Sequence, residues 1–356
     1  MSSSEVRGGF LVYGANGFVG DVIARLAVEQ GLQPILAGRD ARAIERLATV
    51  LGTPYRVFDL AEVAAMDAAL RAVRVVLNCA GPFMHTAGPM VESCLRARTH
   101  YLDLTGEIPV YEDLAARHTD AQAREIMLLP GIGFDVVPTD CLAAYLKQRL
   151  PSATRLTLAF SGTGPAGLPP GTQRTMIELA RYGVVVRRNG RLEEPRQRMK
   201  TLMIDFGRGP VRASRLTWGD VFMAYRSTGI PNIEVYAALR GASRLQLLAA
   251  AYLRPLFKSA AVRKLLQRTV TRGSTPEERA KTTAHVWGKV EDDAGRSTVA
   301  RLHGPEAAVD WTARAALAGV RRVLAGDAPV GFQTPARAFG ADFAMEAAGV
   351  TREDVS

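Results

Sequence analysis

The chain has 356 residues, of which 47% are hydrophobic and 22% charged, so it can bury a sizeable core and is long enough for two domains. Its three cysteines, Cys79, Cys94 and Cys141, form no CxxC pair, and its five histidines have no zinc-like spacing. Residues before Phe10 lack the apolar core of a signal peptide, and no apolar stretch reaches membrane-spanning length. We therefore expect a cytoplasmic protein without a disulfide framework or a metal site.

The formal net charge of +10 comes mainly from arginine. The sequence has no zinc-finger, helix-turn-helix or aromatic-interleaved basic motif, so we expect no nucleic-acid partner. A solvated, arginine-rich surface explains the charge.

The first 150 residues alternate short β-branched runs with helical periodicity, which predicts a parallel, doubly wound sheet. In one of the helices, Met90, Val91, Cys94 and Leu95 share a face, and Pro89 is expected in its first turn. The predicted strands are Phe10–Tyr13, Pro34–Ala37, Arg56–Phe58, Val75–Asn78, Tyr101–Leu104 and Ile126–Leu129.

After Pro151 the pattern changes to one that is typical of an α+β domain with a mixed or antiparallel sheet. Asn189-Gly190 predicts a hairpin turn. We expect a Rossmann domain over residues 1–140, a substrate and oligomerisation domain over 141–327, and a segment 328–356 that returns to the first domain. The predicted strands of the second domain include 201–206, 211–218, 233–238, 284–290 and 297–303.

A glycine-rich turn follows the first predicted strand and precedes an amphipathic helix. In such a turn the glycines let the backbone approach a pyrophosphate, and the free N–H groups at the helix start bind the phosphates. The sequence therefore predicts dinucleotide binding by Gly14, Ala15, Asn16, Gly17, Phe18, Val19 and Gly20.

The end of the second strand distinguishes NAD from NADP. An acidic residue there binds a ribose 2′-hydroxyl, whereas an arginine accommodates a 2′-phosphate. No acid occupies the last positions of this strand, and Arg39 lies just beyond it. Asp40 weakens the argument for NADP, although it also suits the N-cap of the next helix. We expect NADP(H).

Two further strand ends are candidates for the cofactor site. Asp59 follows the third strand and is expected on the adenine side, and the small residues Asn78, Cys79, Ala80, Gly81 and Pro82 end the fourth strand. Each of them could also be only a strand-terminating turn.

The chain resembles the saccharopine dehydrogenase family, and within it the branch that includes the trans-acting enoyl reductases. The resemblance rests on the glycine turn and on the segments at 37–39, 78–82, 101–107, 130–140, 218–220, 227–236 and 331–335. There is no YxxxK motif of a short-chain dehydrogenase. The resemblance implies a Rossmann domain, a second α/β domain and NADP-dependent reduction of either C=C or C=N bonds.

Three residues are candidates for proton transfer in such a reduction. Asp135 ranks first because it lies in a Gly-Phe-Asp turn after the sixth strand, although it could instead cap the following helix. His85 and Tyr225 are weaker candidates, since a loop histidine is usually only solvated.

The region 242–272 combines apolar and basic residues at helical spacing. It predicts either peripheral contact with an anionic membrane, an acyl-binding surface, or a helix pair at the second sheet or a dimer seam. We expect a homodimer. The leading function is reduction of an activated C=C bond in an acyl or polyketide-like substrate. The alternatives are C–N oxidoreduction, with Arg174, Arg181 and Arg226 available for carboxylates, and a non-catalytic NADP-binding scaffold or redox sensor.

Overall fold

The computed structural model describes residues 8–197, 200–238 and 254–355, and they form two compact units. The first unit comprises residues up to 105, then 109–133 and 312–333. The second comprises 106–108, 134–311 and 334 onwards. This division differs from the predicted one: the second unit begins near residue 134 rather than 141, and the returning segment is 312–333 rather than 328–356.

The N-terminal part alternates strands and helices, as the sequence predicts. Its strands are β1 (Phe10–Tyr13), β2 (Pro34–Gly38), β3 (Tyr55–Val57), β4 (Val75–Asn78), β5 (His100–Asp103) and β6 (Met127–Leu129). Its helices are α1 (Phe18–Glu29), α2 (Ala41–Leu51), α3 (Val63–Arg71), α4 (Phe83–Ala97), α5 (Ile108–Ala116) and α6 (His118–Ala123).

Helix α4 begins earlier than expected. The sequence predicts Pro89 in the first turn, but the helix starts at Phe83 and Pro89 lies in its interior. The hydroxyl of Thr86 donates to the carbonyl of Ala80 at 2.6 Å, which ties the first turn of the helix directly to the end of β4. This side-chain contact to the preceding turn is not visible as helical periodicity.

The elements that follow build the second unit. They are α7 (Val137–Arg149), β7 (Arg155–Thr163), α8 (Pro170–Leu179), β8 (Val186–Arg188), β9 (Arg191–Glu193), β10 (Thr201–Asp205), β11 (Pro210–Leu216), α9 (Asp220–Thr228), β12 (Asn232–Ala238), α10 (Arg254–Phe257), α11 (Ala260–Leu266), α12 (Pro276–Ala280), β13 (Thr283–Glu291) and β14 (Ser297–Gly304). The chain then gives α13 (Thr312–Leu324) and β15 (Gly331–Phe332) to the first unit, and α14 (Pro335–Phe339) and β16 (Thr351–Val355) to the second.

The sheet of the first unit is parallel and has the order β15-β6-β5-β4-β1-β2-β3. Strand β1 lies between β2 and β4, which is where the strand order reverses. In doubly wound folds, ligands bind outside the carboxyl ends of the strands at this point. The predicted Rossmann fold is confirmed.

Helix α13 packs closely on this unit because it carries a glycine at the contact. A Cβ on Gly319 would lie 2.7 Å from a side-chain carbon of Ile132. Strand β15 then pairs with β6, with Gly331 opposite Met127.

The second unit contains a mixed sheet with the order β10-β11-β12-β7-β13-β14-β16. Strands β12 and β7 are parallel, and the other pairs along this order are antiparallel. Asn189 and Gly190 both have positive φ, 47° and 77°, and they close the predicted β8–β9 hairpin. The predicted mixed sheet is confirmed.

Part of the predicted region 242–272 lies outside the described residues, namely 242–253. Its remainder contains the short helices α10 and α11 and a single 3-10 turn. Across the described ranges 8–197, 200–238 and 254–355, no helix is both long and apolar enough to cross a membrane.

Candidate functional site

The glycine turn between β1 and α1 has the geometry of a phosphate-binding turn. Gly14 has φ 77°, a left-handed conformation that glycine adopts without steric cost. Its N–H donates to the carbonyl of Ala37 at 2.8 Å, and the N–H of Gly17 donates to the carbonyl of Gly14 at 2.9 Å. Gly17 is the N-cap of α1 and has no capping side chain, so the first N–H groups of the helix remain free to bind an anion.

The three glycines also stand where a side chain would crowd neighbouring backbone atoms. A Cβ on Gly14 would lie 3.0 Å from the backbone nitrogen of Ala80, and a Cβ on Gly17 would lie 3.0 Å from the carbonyl oxygen of Gly14. A Cβ on Gly20 would lie only 2.2 Å from that same oxygen. The residues present therefore fit a dinucleotide whose pyrophosphate approaches the backbone closely.

The residues just after β2 suit a dinucleotide whose ribose carries a 2′-phosphate. Arg39 is exposed, and among the described residues it has no ion pair. The side chain of Asp40 accepts a hydrogen bond from the backbone N–H of Ala43 at 3.1 Å, so it caps α2. Asp40 thus has a structural role that leaves Arg39 as the charged group available to a 2′-phosphate.

Asp59 lies close to the same strand ends. The ring of Tyr13 stacks on Phe58 with centroids 5.1 Å apart. The pKa of Tyr13 is raised to about 12, mainly by burial and next by the charge of Asp59, while the charge of Arg39 opposes the shift. Asp59 and Arg39 therefore both act on the end of β1. Asp59 also accepts the N–H of Ala61, so it helps to form the turn before α3.

The turn after β4 is held by buried polar groups. Asn78 is fully buried; its carbonyl oxygen accepts the N–H of Ala80 at 3.1 Å, and its amide donates to the hydroxyls of Thr86 and Tyr101. These bonds fix the backbone from Cys79 to Pro82, where small residues keep the strand end open.

Asp103 extends this network to β5. The hydroxyl of Tyr101 donates to one carboxylate oxygen of Asp103 at 2.7 Å. The other oxygen accepts the backbone N–H groups of Thr105 and Gly131, each at 2.9 Å. The ends of β4, β5 and β6 are thereby joined by one chain of hydrogen bonds.

His85 and Cys79 are the remaining candidates in the first unit. His85 lies exposed in the first turn of α4, where its backbone N–H bonds to Pro82. Desolvation raises the pKa of the Cys79 thiol far above its usual range, so this cysteine stays a thiol and acts as a small apolar residue.

Asp135, in the second unit, is held in a tight and partly buried position. Its backbone carbonyl accepts the indole N–H of Trp218 at 2.9 Å. One of its carboxylate oxygens lies 2.8 Å from where a Cβ of Gly106 would be, so the carboxylate rests against that glycine. Desolvation and the nearby charge of Glu107 raise the pKa of Asp135 to about 7. At neutral pH it can therefore exchange a proton.

A second buried acid, Asp140, lies at the start of α7. One carboxylate oxygen accepts the hydroxyl of Ser227 at 2.5 Å, and the other accepts the N–H of Ala336 at 2.8 Å. Ser227 also shares a hydrogen bond with Thr334. Burial raises the pKa of Asp140 to about 6, although these hydrogen bonds oppose the shift.

Asp220 is fully buried at the start of α9. Its Oδ1 accepts the hydroxyl of Thr139 at 2.6 Å, and its Oδ2 has no hydrogen-bond partner among the described residues. Burial raises its pKa well above the usual range, the Thr139 hydrogen bond opposes this, and the charges of Asp140 and Asp135 add to it. Burial therefore favours the protonated, neutral form of Asp220.

We expect Asp220→Asn to stabilise the protein relative to the wild type as the pH rises. The raised pKa means that the stability contributed by Asp220 is complete below its unfolded-state pKa and is lost as pH rises through the folded-state value. Asparagine does not ionise, so the variant's free energy of unfolding lacks this pH dependence. The difference should grow by about 1.4 kcal/mol for each pH unit in which only the unfolded state is ionised.

Urea denaturation from pH 4 to pH 9 measures this difference. The exposed Asp120→Asn is the control, and its curve should run parallel to that of the wild type. A constant offset between Asp220→Asn and the wild type over the whole range would show that the acid is ionised in the fold.

Tyr225 packs against the β8–β9 hairpin. The guanidinium of Arg187 lies 4.0 Å from the centroid of its ring, and a Cβ on Gly190 would lie 3.3 Å from its hydroxyl. These contacts give Tyr225 a packing role in the hairpin, and its catalytic role stays a prediction.

Asp140, Ser227 and Thr334 were not predicted as site residues. The segments that carry them, 130–140, 227–236 and 331–335, were recognised as family motifs, and the structure shows that their polar residues meet. The signal was therefore present, but motifs far apart in sequence do not indicate which of their side chains are in contact.

A comparison with known families finds a match largely within the first unit. Residues 10–129 match the family described as the saccharopine dehydrogenase NADP binding domain. This match confirms the predicted family resemblance and confirms NADP(H) as the cofactor that this kind of domain binds.

Two curated relatives match part of the chain. The saccharopine dehydrogenase-like oxidoreductase of Mus musculus is 28% identical over 180 residues, which cover 44% of this chain and 42% of that protein. The trans-acting enoyl reductase of Mycobacterium leprae is 31% identical over 158 residues, which cover 42% of this chain and 38% of that protein. The matches thus span about two fifths of the relatives' length.

A solved structure is similar over nearly the whole chain. The apo saccharopine dehydrogenase (L-Glu forming) of Saccharomyces cerevisiae has a TM-score of 0.62, covering 98% of this chain and 100% of that one at 13% identity. At this identity the likeness shows the fold, a parallel Rossmann sheet with a second mixed-sheet unit.

Proposed function

We propose that this chain, whose first unit is a saccharopine dehydrogenase-type NADP-binding domain, is an NADPH-dependent oxidoreductase that reduces an activated C=C bond of an acyl or polyketide-like substrate. The observation that carries the proposal is the glycine turn after β1, together with the exposed Arg39 after β2. In this turn, a Cβ added to any of the three glycines would crowd backbone atoms. The M. leprae relative that is an enoyl reductase by name supports the C=C chemistry.

In this proposal each protein group has a defined task. The turn at 14–20 holds the pyrophosphate, Arg39 binds the 2′-phosphate, and the buried bonds of Asn78 keep the end of β4 open. NADPH supplies the hydride when bound. Asp135, with its pKa raised to about 7, donates the proton that completes the reduction.

The second candidate is reduction or oxidation at a C–N bond of an amino-acid-derived substrate, and the M. musculus relative supports it by name. Such a substrate needs guanidinium groups for its carboxylates. Arg174 is exposed, Arg181 lies over the ring of Tyr182 at 4.8 Å, and Arg226 lies over Phe222 at 5.2 Å. Two of the three arginines stack on aromatic rings, which leaves the N–H edges of their guanidinium groups for carboxylates.

NADPH oxidation with a panel of enoyl thioesters, cyclic imines and ketones separates these functions. We expect turnover with the enoyl thioesters. Turnover confined to amino-acid-derived imines would favour the second candidate, and NADPH binding without any turnover would favour the cofactor-bound scaffold or redox sensor.

We expect Arg39→Ala to weaken NADPH binding selectively. Loss of a charged hydrogen bond to the 2′-phosphate costs about 1.5–3 kcal/mol, so the dissociation constant should rise roughly 10- to 100-fold. NADH lacks this phosphate, and its affinity should stay the same. Calorimetric titration with both dinucleotides measures the effect.

The matched control is Arg46→Ala, which removes another exposed guanidinium, seven residues further along and inside α2. It should bind NADPH like the wild type. If Arg39→Ala weakened NADPH and NADH equally, the assignment of the 2′-phosphate site would be rejected.

The substrate class, oligomeric state and location of the chain are further parts of the proposal. We propose a small-molecule or acyl substrate, a homodimer and a cytoplasmic location, with region 242–272 as the candidate for membrane or dimer contact. Light scattering of the pure protein tests the dimer, and flotation with anionic vesicles at low salt tests the membrane contact.

A further inference from the structure

The second unit contains a cavity of about 320 Å³ that the proposed reaction does not use. It is bounded by the turn between β10 and β11, by one end of the β13–β14 pair and by β16. Its polar lining consists of Arg208, Thr283, His285, His303, Thr351 and Glu353.

A continuous chain of hydrogen bonds runs along the wall of this cavity. The hydroxyls of Thr163 and Thr283 are 2.6 Å apart, and the Thr283 hydroxyl is 3.2 Å from Nε2 of His285. Nδ1 of His285 is 2.8 Å from Nδ1 of His303, and Nε2 of His303 is 3.2 Å from a carboxylate oxygen of Glu353. The chain crosses four adjacent strands, β7, β13, β14 and β16.

The proton positions along this chain follow from the donor inventory. An ionised Glu353 only accepts, so Nε2 of His303 carries a proton and its Nδ1 accepts. Nδ1 of His285 must then be the donor, and Nε2 of His285 accepts from the Thr283 hydroxyl. In this neutral state, Nε2 of His285 is the ring nitrogen of the pair that can take up a further proton without breaking the bond between the rings.

The charges around the histidine pair favour a negative ligand. Arg208 projects from the β10–β11 turn, is exposed and has no ion pair among the described residues. Arg301 from β14 is already balanced by Asp205 at 3.3 Å and by Glu353 from β16 at 3.6 Å. Arg208 is therefore the cation at this cavity that still lacks a counterion.

A metal ion is a poor match for the same cavity. The two Nδ1 atoms share one proton, and the Glu353 contact is on the far ring nitrogen of His303. In the part of the chain that the structure describes, no group of three or more His, Cys, Asp or Glu side chains could hold a metal.

We propose that this cavity binds a small oxyanion, a carboxylate or phosphate group, between Arg208 and the His285–His303 pair, and that binding is coupled to the uptake of one proton from solvent by His285. The proton enters at Nε2 of His285, which then donates to the Thr283 oxygen. The Thr283 hydroxyl, which no longer donates to the imidazole, then donates its hydrogen bond to the anion. The cavity is thus a ligand site in addition to the proposed dinucleotide site, and all its residues belong to the second unit.

The ionisation of His285 supports this coupling. Burial, together with the smaller effects of the charges of His303 and Arg208, lowers the pKa of His285 to about 4. Without ligand His285 is therefore neutral at pH 7. A bound anion raises this pKa, so affinity must fall with rising pH until the pKa of the liganded state is reached, by at most about tenfold per pH unit for one proton.

The test is titration of the whole chain with sulfate and, separately, with formate, neither of which changes charge appreciably between pH 5.5 and pH 7.5. Calorimetry gives the affinity, and histidine ring ¹⁵N shifts report protonation. We expect binding at least about fivefold tighter at pH 5.5, within the limit for one coupled proton, with ring shifts at His285 and His303. Preference for sulfate would identify a phosphate-type ligand, and preference for formate a carboxylate.

Three variants make the test specific. Arg208→Ala should weaken the anion at least about tenfold, because it removes a charged hydrogen bond. Arg212→Ala, an equal loss of exposed charge in the same hairpin, should bind like the wild type. His285→Gln should flatten the pH dependence, because it removes the ring nitrogen that takes up the proton. The proposal is overturned if neither anion moves the two ring signals, if affinity is independent of pH, or if Arg208→Ala and Arg212→Ala behave alike. None of these outcomes depends on NADPH binding.

Discussion

Gly20→Ala should abolish high-affinity NADPH binding and destabilise the first unit. The added methyl group would lie 2.2 Å from the carbonyl oxygen of Gly14 and 3.0 Å from Cα of Ala15, so helix α1 must move away from the glycine turn. Such overpacking costs roughly 1–3 kcal/mol of unfolding free energy. The shifted helix no longer points its free N–H groups at the pyrophosphate, which should weaken binding on the order of 100-fold.

Two further glycines make this a graded series. Gly17→Ala meets the Gly14 oxygen at 3.0 Å and should be intermediate, whereas Gly88→Ala in α4 meets no atom within 4 Å. Gly88→Ala should bind NADPH normally and gain about 0.5–1 kcal/mol from helix propensity. Calorimetry and thermal unfolding measure all three. If Gly20→Ala bound NADPH as tightly as Gly88→Ala, the turn would not be the pyrophosphate site.

Most of the N-terminal fold could be predicted from the sequence. Strands β1 and β4 begin and end where predicted, and the other four differ by one or two residues. Buried strands of a parallel sheet are continuous apolar runs, and the glycine turn marks the first crossover, so local sequence carries the fold. The seventh strand, Gly331–Phe332, is two residues long and exists only because it pairs with β6. So short a strand has no periodicity of its own.

In the second unit, contacts within one hairpin could be predicted from the sequence, but contacts between distant segments could not. Both strands of the β13–β14 hairpin were predicted, and a turn centred on Ala294 places His285 opposite His303. The histidine pair was therefore within reach once a register was assigned. The meeting of Asp140, Ser227 and Thr334 was not, because those residues are 87 and 107 positions apart and only the packed unit joins them. The candidate site could be predicted where one motif supplies it and could not where several segments do.

The buried acids suggest a common principle in the second unit. Asp135, Asp140 and Asp220 all have raised pKa values, chiefly because each is desolvated. Asp140 accepts hydrogen bonds on both oxygens and Asp220 is fully enclosed, which suits structural roles. Asp135 alone among the three keeps partial exposure. A proton donor must reach its substrate, so Asp135 remains the best candidate for proton transfer.

Asp135→Asn should lower kcat roughly 100- to 10,000-fold, the usual contribution of a positioned general acid. NADPH affinity should stay unchanged. In the wild type, reduction requires protonated Asp135, so kcat should fall as pH rises through about 7. Steady-state kinetics from pH 5.5 to pH 9 with an enoyl thioester measures both the loss and the profile.

Glu107→Gln distinguishes a proton-transfer role from a structural one. Removing the neighbouring negative charge lowers the pKa of Asp135, so the decline in kcat should move to lower pH while the rate at pH 5.5 is retained. A structural role for Asp135 predicts no such shift. An unchanged pH profile in Glu107→Gln, or an Asp135→Asn enzyme that keeps its full rate, would remove Asp135 from the reaction. Because the charge of Glu107 raises the pKa of Asp135, the direction of the pH shift carries more weight than the size of either loss.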